Sequence, residues 1–208
     1  MTTRRTAGLA LAGYGLGTFL AFAPNSPGGS YDDAAVATFV SHGHLWAAVG
    51  FAYLGIFAAL ALLLFGLGMR DEAGSARDPF LALTVVGAAT SVVGFFLTGG
   101  VAAAMAEGGA SVRSGVPHPV VYTLTETGNL LSVCAPALCV GIAGLILVRK
   151  AELAGWVKAF TVVAAVCGIL APFFFTYLVY LLWTLVFGGV LAWGRTPDRE
   201  PQAQPSLV

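Results

Sequence analysis

From Leu130 to Val148 the chain carries no charged residue, and the run stops at Arg149 and Lys150. A stretch of that length can cross a bilayer as a helix, since the hydrocarbon core is about 30 Å thick and a helix rises about 1.5 Å per residue. Ala159 to Gly194 is uncharged over a still longer distance, with Pro172 near its middle. One crossing cannot use so many residues, and a proline inside a helix removes a hydrogen bond and strains the turn before it. The longer run therefore reads as two spans meeting near Pro172.

Composition supports the same class. Apolar residues make up 58% of the 208 and charged residues 10%, against about 25% charged in soluble domains. The expected fold is all-α, a polytopic helical membrane bundle occupying residues 1–194. Its six spans are placed at about 7–23, 45–69, 80–105, 124–148, 156–170 and 173–193, followed by a disordered cytoplasmic tail over 195–208. Arg4 and Arg5, the apolar run after them and Ala21-Phe22-Ala23 also fit a cleaved signal peptide. Pro24, directly after the cut site, favours an uncleaved first span.

The polar links carry their own signals. Ser30 to Val40 reads as a short surface helix capped by Ser30, with Val36, Phe39 and Val40 on one face. Arg70 to Asp78 is a charged turn, with Asp78-Pro79 as an N-cap and first helical proline. Glu107 to Pro119 is a second polar link. With the N-terminus inside, Arg4, Arg5, Arg70, Arg77, Arg149, Lys150, Lys158, Arg195 and Arg199 are cytoplasmic, and only Arg113 of the 10 basic residues lies outside. Such a bias sets orientation in membranes, so both termini are expected in the cytoplasm. Trp46, Tyr122 and Tyr177 would then mark the outer interface, and Trp156 and Trp193 the inner one.

Small residues four apart (Gly13 and Gly17, Gly87 and Ser91, Ala137 and Gly141) offer sites of close helix approach. LTVVGAAT from Leu83 echoes FTVVAAVCG from Phe160, as a duplicated hairpin would. Cys134, Cys139 and Cys167 lie in apolar runs; the first two are five apart on one helix, point apart and cannot pair.

The chemistry concentrates on the fourth span. Glu126 is the one acid that dips into a span, where a charge at the helix centre costs roughly 2.5–3.5 kcal/mol and is a functional hypothesis by default. Asn129 shares its helix face, with Thr123 and Thr127 beside them. Pro136 leaves the carbonyl of Ser132 free to accept from elsewhere. These residues are candidates for an outward-opening pocket holding a cation, a proton or a polar head group, against the plainer reading of an interfacial cap. His42, His44 and His118 fall on the outer side and form a weaker candidate metal or proton site, with ordinary wet-loop residues as the alternative. No phosphate-binding glycine loop, zinc-protease motif, serine nucleophile motif, arginine-ladder voltage sensor or mid-span histidine is present, and no cofactor is implied.

TFVSHGHLWAAVGFAYLG from Thr38, TETGNLLSVCAPALCVGIAGLILVRK from Thr125, and AGWVKAFTVVAAVCGIL with LLWTLVFGGVLAWGR give the chain a familiar layout. It resembles a large family of small six-span bacterial membrane proteins, abundant in actinobacteria and known as a domain of unknown function. The resemblance covers about Val36 to Arg195. It implies a plasma-membrane protein and supplies no activity, cofactor or catalytic residue. The expectation is a non-enzymatic multi-pass protein, an accessory or sensing subunit taking a small ligand or lipid from the outer face. A small proton- or ion-coupled transporter is the alternative, and a membrane redox or metal-handling subunit the third reading. Its expected partner is the lipid bilayer and not nucleic acid; homo- or hetero-oligomerisation in the membrane is left open.

Overall fold

The computed structural model describes residues 3–22, 30–151, 153–171 and 176–194. Among them the chain is all-helical: α1 (Thr3–Phe22), α2 (Asp33–Phe39), α3 (His42–Met69), α4 (Arg77–Glu107), α5 (Gly109–Gly115), α6 (His118–Asn129), α7 (Ala135–Lys150), α8 (Gly155–Leu170) and α9 (Tyr177–Trp193). A 3₁₀ turn at Asp71–Ala76 links α3 to α4, and a π-turn at Leu130–Cys134 joins α6 to α7 in one continuous rod. Three helical stretches, Gly43–Met69, Asp71–Glu107 and His118–Lys150, are long and apolar enough to cross a membrane, and α8 and α9 are shorter apolar helices. Residues 23–29, the expected break at Pro172, residues 173–175 of the expected sixth span and the tail 195–208 lie outside the described residues.

The long helices stand in a ring in chain order. α1 packs on α3, α3 on α4, α4 on the α6–α7 rod, α7 on α8 and α8 on α9; α9 closes the ring on α1. Leu11, Tyr14, Phe65, Phe80, Trp183 and Phe187 fill its interior, all essentially inaccessible. The outward faces are apolar too: Phe19, Phe57, Leu64, Phe96, Val163 and Leu182 are each about half exposed or more. In water such a surface would be an association hazard, whereas lipid tails solvate it.

Close backbone approach holds the ring, since lipid supplies little hydrophobic force between helices. Gly8 of α1 and Gly188 of α9 touch backbone to backbone; a Cβ on Gly188 would lie 2.6 Å from the Gly8 carbonyl oxygen. Gly94 of α4 meets Gly128 and Ser132 of the α6–α7 rod in the same way. Of the spaced pair on α1, Gly13 faces open space and Gly17 packs on Ala58, while α1 meets α9 through Gly8 and Gly15. The echoed segments also make matching contacts: Thr84 occupies the space a side chain at Gly66 would need, and Thr161 does so at Gly144. All three cysteines are free.

The links depart from expectation in three places. Asp32, not Ser30, caps α2, its Oδ1 accepting from the Ala34 amide at 3.1 Å. Asp78 does not cap α4, which starts at Arg77; its carboxylate instead accepts from Arg70 at 2.9 Å and stitches the turn. The Glu107–Pro119 link contains helix α5, and the fourth rod begins at His118, six residues before its expected start. Val36, Phe39 and Val40 do share the buried face of α2, packing with Leu45, Ala102, Met105 and Val121 in a second small core at the His118 end.

The glycine contacts set a measurable contrast. Gly188→Leu should lower stability by about 1–3 kcal/mol, the usual range for forcing extra methylenes into a packed interior. Gly13→Leu should change it by less than about 0.5 kcal/mol. Thermal unfolding of the two variants in the same detergent checks the difference.

Candidate functional site

Glu126 and Asn129 stand one turn apart at the end of α6. Asn129 is buried and Glu126 half-buried, and Asn129 Nδ2 donates to Glu126 Oε2 at 3.3 Å. The carboxylate also lies within electrostatic reach of Cys134 and of Tyr177 at the start of α9. Thr123 and Thr127 go the other way. Both are exposed on the outer surface of the rod, their hydroxyls donating to the carbonyls of Pro119 and Thr123 at 2.8 and 2.7 Å. The four-residue candidate thus divides into an inward pair and an outward pair.

A polar seam continues from Asn129 into the apolar interior. Ser132 Oγ donates to the Asn129 carbonyl at 3.1 Å, and Ser91 Oγ of α4 donates to the Ser132 carbonyl at 2.8 Å. The second bond follows from Pro136. Its ring nitrogen has no hydrogen to give Ser132, and the rod relieves the clash by a π-turn in which the Ala135 amide reaches back to Leu130. The orphaned carbonyl then takes its donor from the neighbouring helix, which the Gly94–Gly128 contact brings close. On the other side of the rod, Cys134 Sγ donates to the Ala171 carbonyl at 3.4 Å.

Beyond Ser91 the seam reaches Tyr14, Thr18 and Tyr180, all fully buried. The hydroxyls of Tyr180, Thr18 and Ser91 surround the Tyr14 phenol, yet those of Tyr14, Thr18 and Tyr180 close no hydrogen bond among the described residues. An unpaired hydroxyl in an apolar interior costs about 1–3 kcal/mol, so three together mark this spot as chemically distinct. Sequence reasoning passed over all of them. Ser91 read only as a small packing residue, though a serine mid-span opposite a proline-freed carbonyl is a detectable signal. Tyr14 and Tyr180 sit in apolar runs where nothing separates a buried phenol from an interfacial one.

The histidines do not assemble. His118 Nδ1 and Asp33 Oδ1 lie 2.8 Å apart, His44 is exposed, and the His42 side chain lies outside the described residues. Among the described residues no three His, Cys, Asp or Glu side chains gather as a metal would require. His118 instead anchors α2, helped by Tyr31, whose hydroxyl donates to Asp33 at 2.9 Å and whose ring meets Tyr122 edge-on at 5.5 Å. His118, Tyr122, Glu126 and Asn129 follow one another at helical spacing, so the strap formed by Tyr31 and α2 sits on the same face as the Glu126 pair, one turn above it. The bonds from His118 and Tyr31 hold the Asp33 carboxyl below the ordinary aspartate range.

No family model, curated protein or solved structure matches this chain.

Two outcomes are expected. Ser91→Ala should cost about 1–3 kcal/mol by stranding the Ser132 carbonyl, and much less in a Pro136→Ala background, where an amide hydrogen again serves that carbonyl. A double-mutant cycle of thermal stabilities measures the coupling, and additive costs would remove the bond from the account. For Asp33, a lowered folded pKa means that the stabilisation holds above its ordinary value of 3.8 and is lost as pH falls through the still lower folded value. Radical footprinting of buried Phe39 should therefore stay flat from pH 7 to about 4 and rise only in stronger acid. In Asp33→Ala it should be raised already at pH 7.

Proposed function

We propose that the chain is a six-span protein of the bacterial plasma membrane, with both termini cytoplasmic, related to the family it resembles. In this reading it is a non-enzymatic accessory or sensing subunit that takes a small cationic or hydrogen-bonding ligand, or a lipid head group, from the outer face. The charge pattern supports the sidedness. Arg4, Arg5, Arg70, Arg77, Arg149, Lys150 and Lys158 fall at the end of the ring where α7 finishes, and among the described residues Arg113 alone falls at the other. Trp156 and Trp193, both strongly exposed, belong to the basic end, and exposed Trp46 to the opposite one, as interfacial anchors would.

The observation that carries the site is the Glu126–Asn129 pair, half in and half out of an otherwise apolar bundle. A carboxylate kept there by an amide donor has one oxygen to spare for a guest. The seam running inward from Asn129 through Ser132 and Ser91 favours a second reading, a small proton- or ion-coupled carrier in which Glu126 is the titrating group.

Native mass spectrometry of gently solubilised protein tests the first reading. A bound species present in the wild type should be lost or weakened at least tenfold in Glu126→Gln, about 1.4 kcal/mol in affinity. Equal occupancy in that variant would remove Glu126 from the site. If the carrier reading holds, the same variant folds normally and conducts nothing in proteoliposomes. Sidedness has its own test in a cysteine-free background: Ser111→Cys should react with an impermeant maleimide on intact cells, and Asp71→Cys only after the membrane is opened.

A further inference from the structure

The Glu126 site leaves three hydroxyls at the heart of the ring without a role. Tyr14 and Thr18 stand one turn apart on α1, and Tyr180 reaches toward them from α9, its ring edge-on to that of Tyr14 at 6.5 Å. All three are fully buried, and their oxygens, though near enough to act on one another, close no hydrogen bond among the described residues. Their surroundings fix what could serve them. Leu11, Leu181 and Trp183 make the walls apolar, and Tyr180 and Trp183 stack at 6.0 Å. The groups acting on the two phenols are hydroxyls and the thiols of Cys134 and Cys139, none of them charged.

An ion brought here would find no counter-charge, and an apolar guest would leave all three oxygens unpaired. A single small molecule with both donors and acceptors could bond to all of them at once, because each hydroxyl can both give and accept. We propose that Tyr14, Thr18 and Tyr180 form an interior binding site for one small uncharged hydrogen-bonding molecule, with water as its minimal occupant. Ser91 stands between this site and the seam to Glu126, so the guest sits at the inner end of that polar route. The site does not depend on what Glu126 binds.

Infrared difference spectroscopy of the full chain in nanodiscs, exchanged from ordinary water into ¹⁸O water, tests it. The wild type should show an isotope-sensitive O–H stretch from an internal, weakly bonded water. That band should vanish in Tyr14→Phe and in Tyr180→Phe and persist in Glu126→Gln. Each phenylalanine variant should melt about 2–4 °C lower, and the double variant little lower than either, because both lose the same guest. A spectrum with no such band, or a band unchanged in both phenylalanine variants, overturns the proposal. So does a melting point that holds or rises on removal of the hydroxyls, the outcome expected of groups that were merely unpaired.

Discussion

A bilayer offers no water to a backbone carbonyl, so every break in a spanning helix must be answered by another part of the protein. Here the break is at Pro136 and the answer is Ser91. One hydrogen bond of 2.8 Å satisfies the Ser132 carbonyl and pins α4 to the rod at mid-depth. The π-turn, the Gly94–Gly128 contact and the burial of Asn129 belong to the same arrangement. Without the glycines the two helices would stand too far apart for a serine to reach across. Without the proline there would be no carbonyl to reach for.

The same economy explains where polarity is placed. Trp183 Nε1 donates to Thr161 Oγ1 at 3.0 Å while Thr161 donates to its own helix, so that pair closes on itself between α8 and α9. The seam from Glu126 to Tyr14 is different: it begins at a half-buried carboxylate and ends in hydroxyls with unused capacity. Phenylalanine and valine would fill the same space, so what these three side chains add is hydrogen bonding and not packing.

The all-helical class and the long apolar helices were legible in the sequence because uncharged run length is a one-dimensional property. The uncharged run ending at Arg149 announced the apolar helix that ends at Lys150, and Pro136 announced that Ser132 would need a donor. The identity of that donor was not legible, because it depends on which helix lies opposite at which depth. For the same reason Gly13 was singled out and Gly8 and Gly15 were not: spacing along α1 says nothing about where α9 sits. Asp32 and Ser30 compete for one cap, and only the backbone entering α2 decides between them. Within the candidate site, Glu126 and Asn129 could be paired from helical spacing alone, while Thr123 and Thr127 turned outward because their face of α6 has no neighbour among the described residues.

The Gly8–Gly188 contact bears on how such a ring is made. α1 leaves the ribosome long before α9, and until α9 is threaded, the groove along Gly8, Leu11 and Gly15 lacks the helix that packs on it. Synthesis must therefore leave a slot open on the growing bundle and seat α9 there like a keystone. A chain stalled before Tyr177 would keep that slot open, its α1 glycines facing lipid where the α9 backbone should lie.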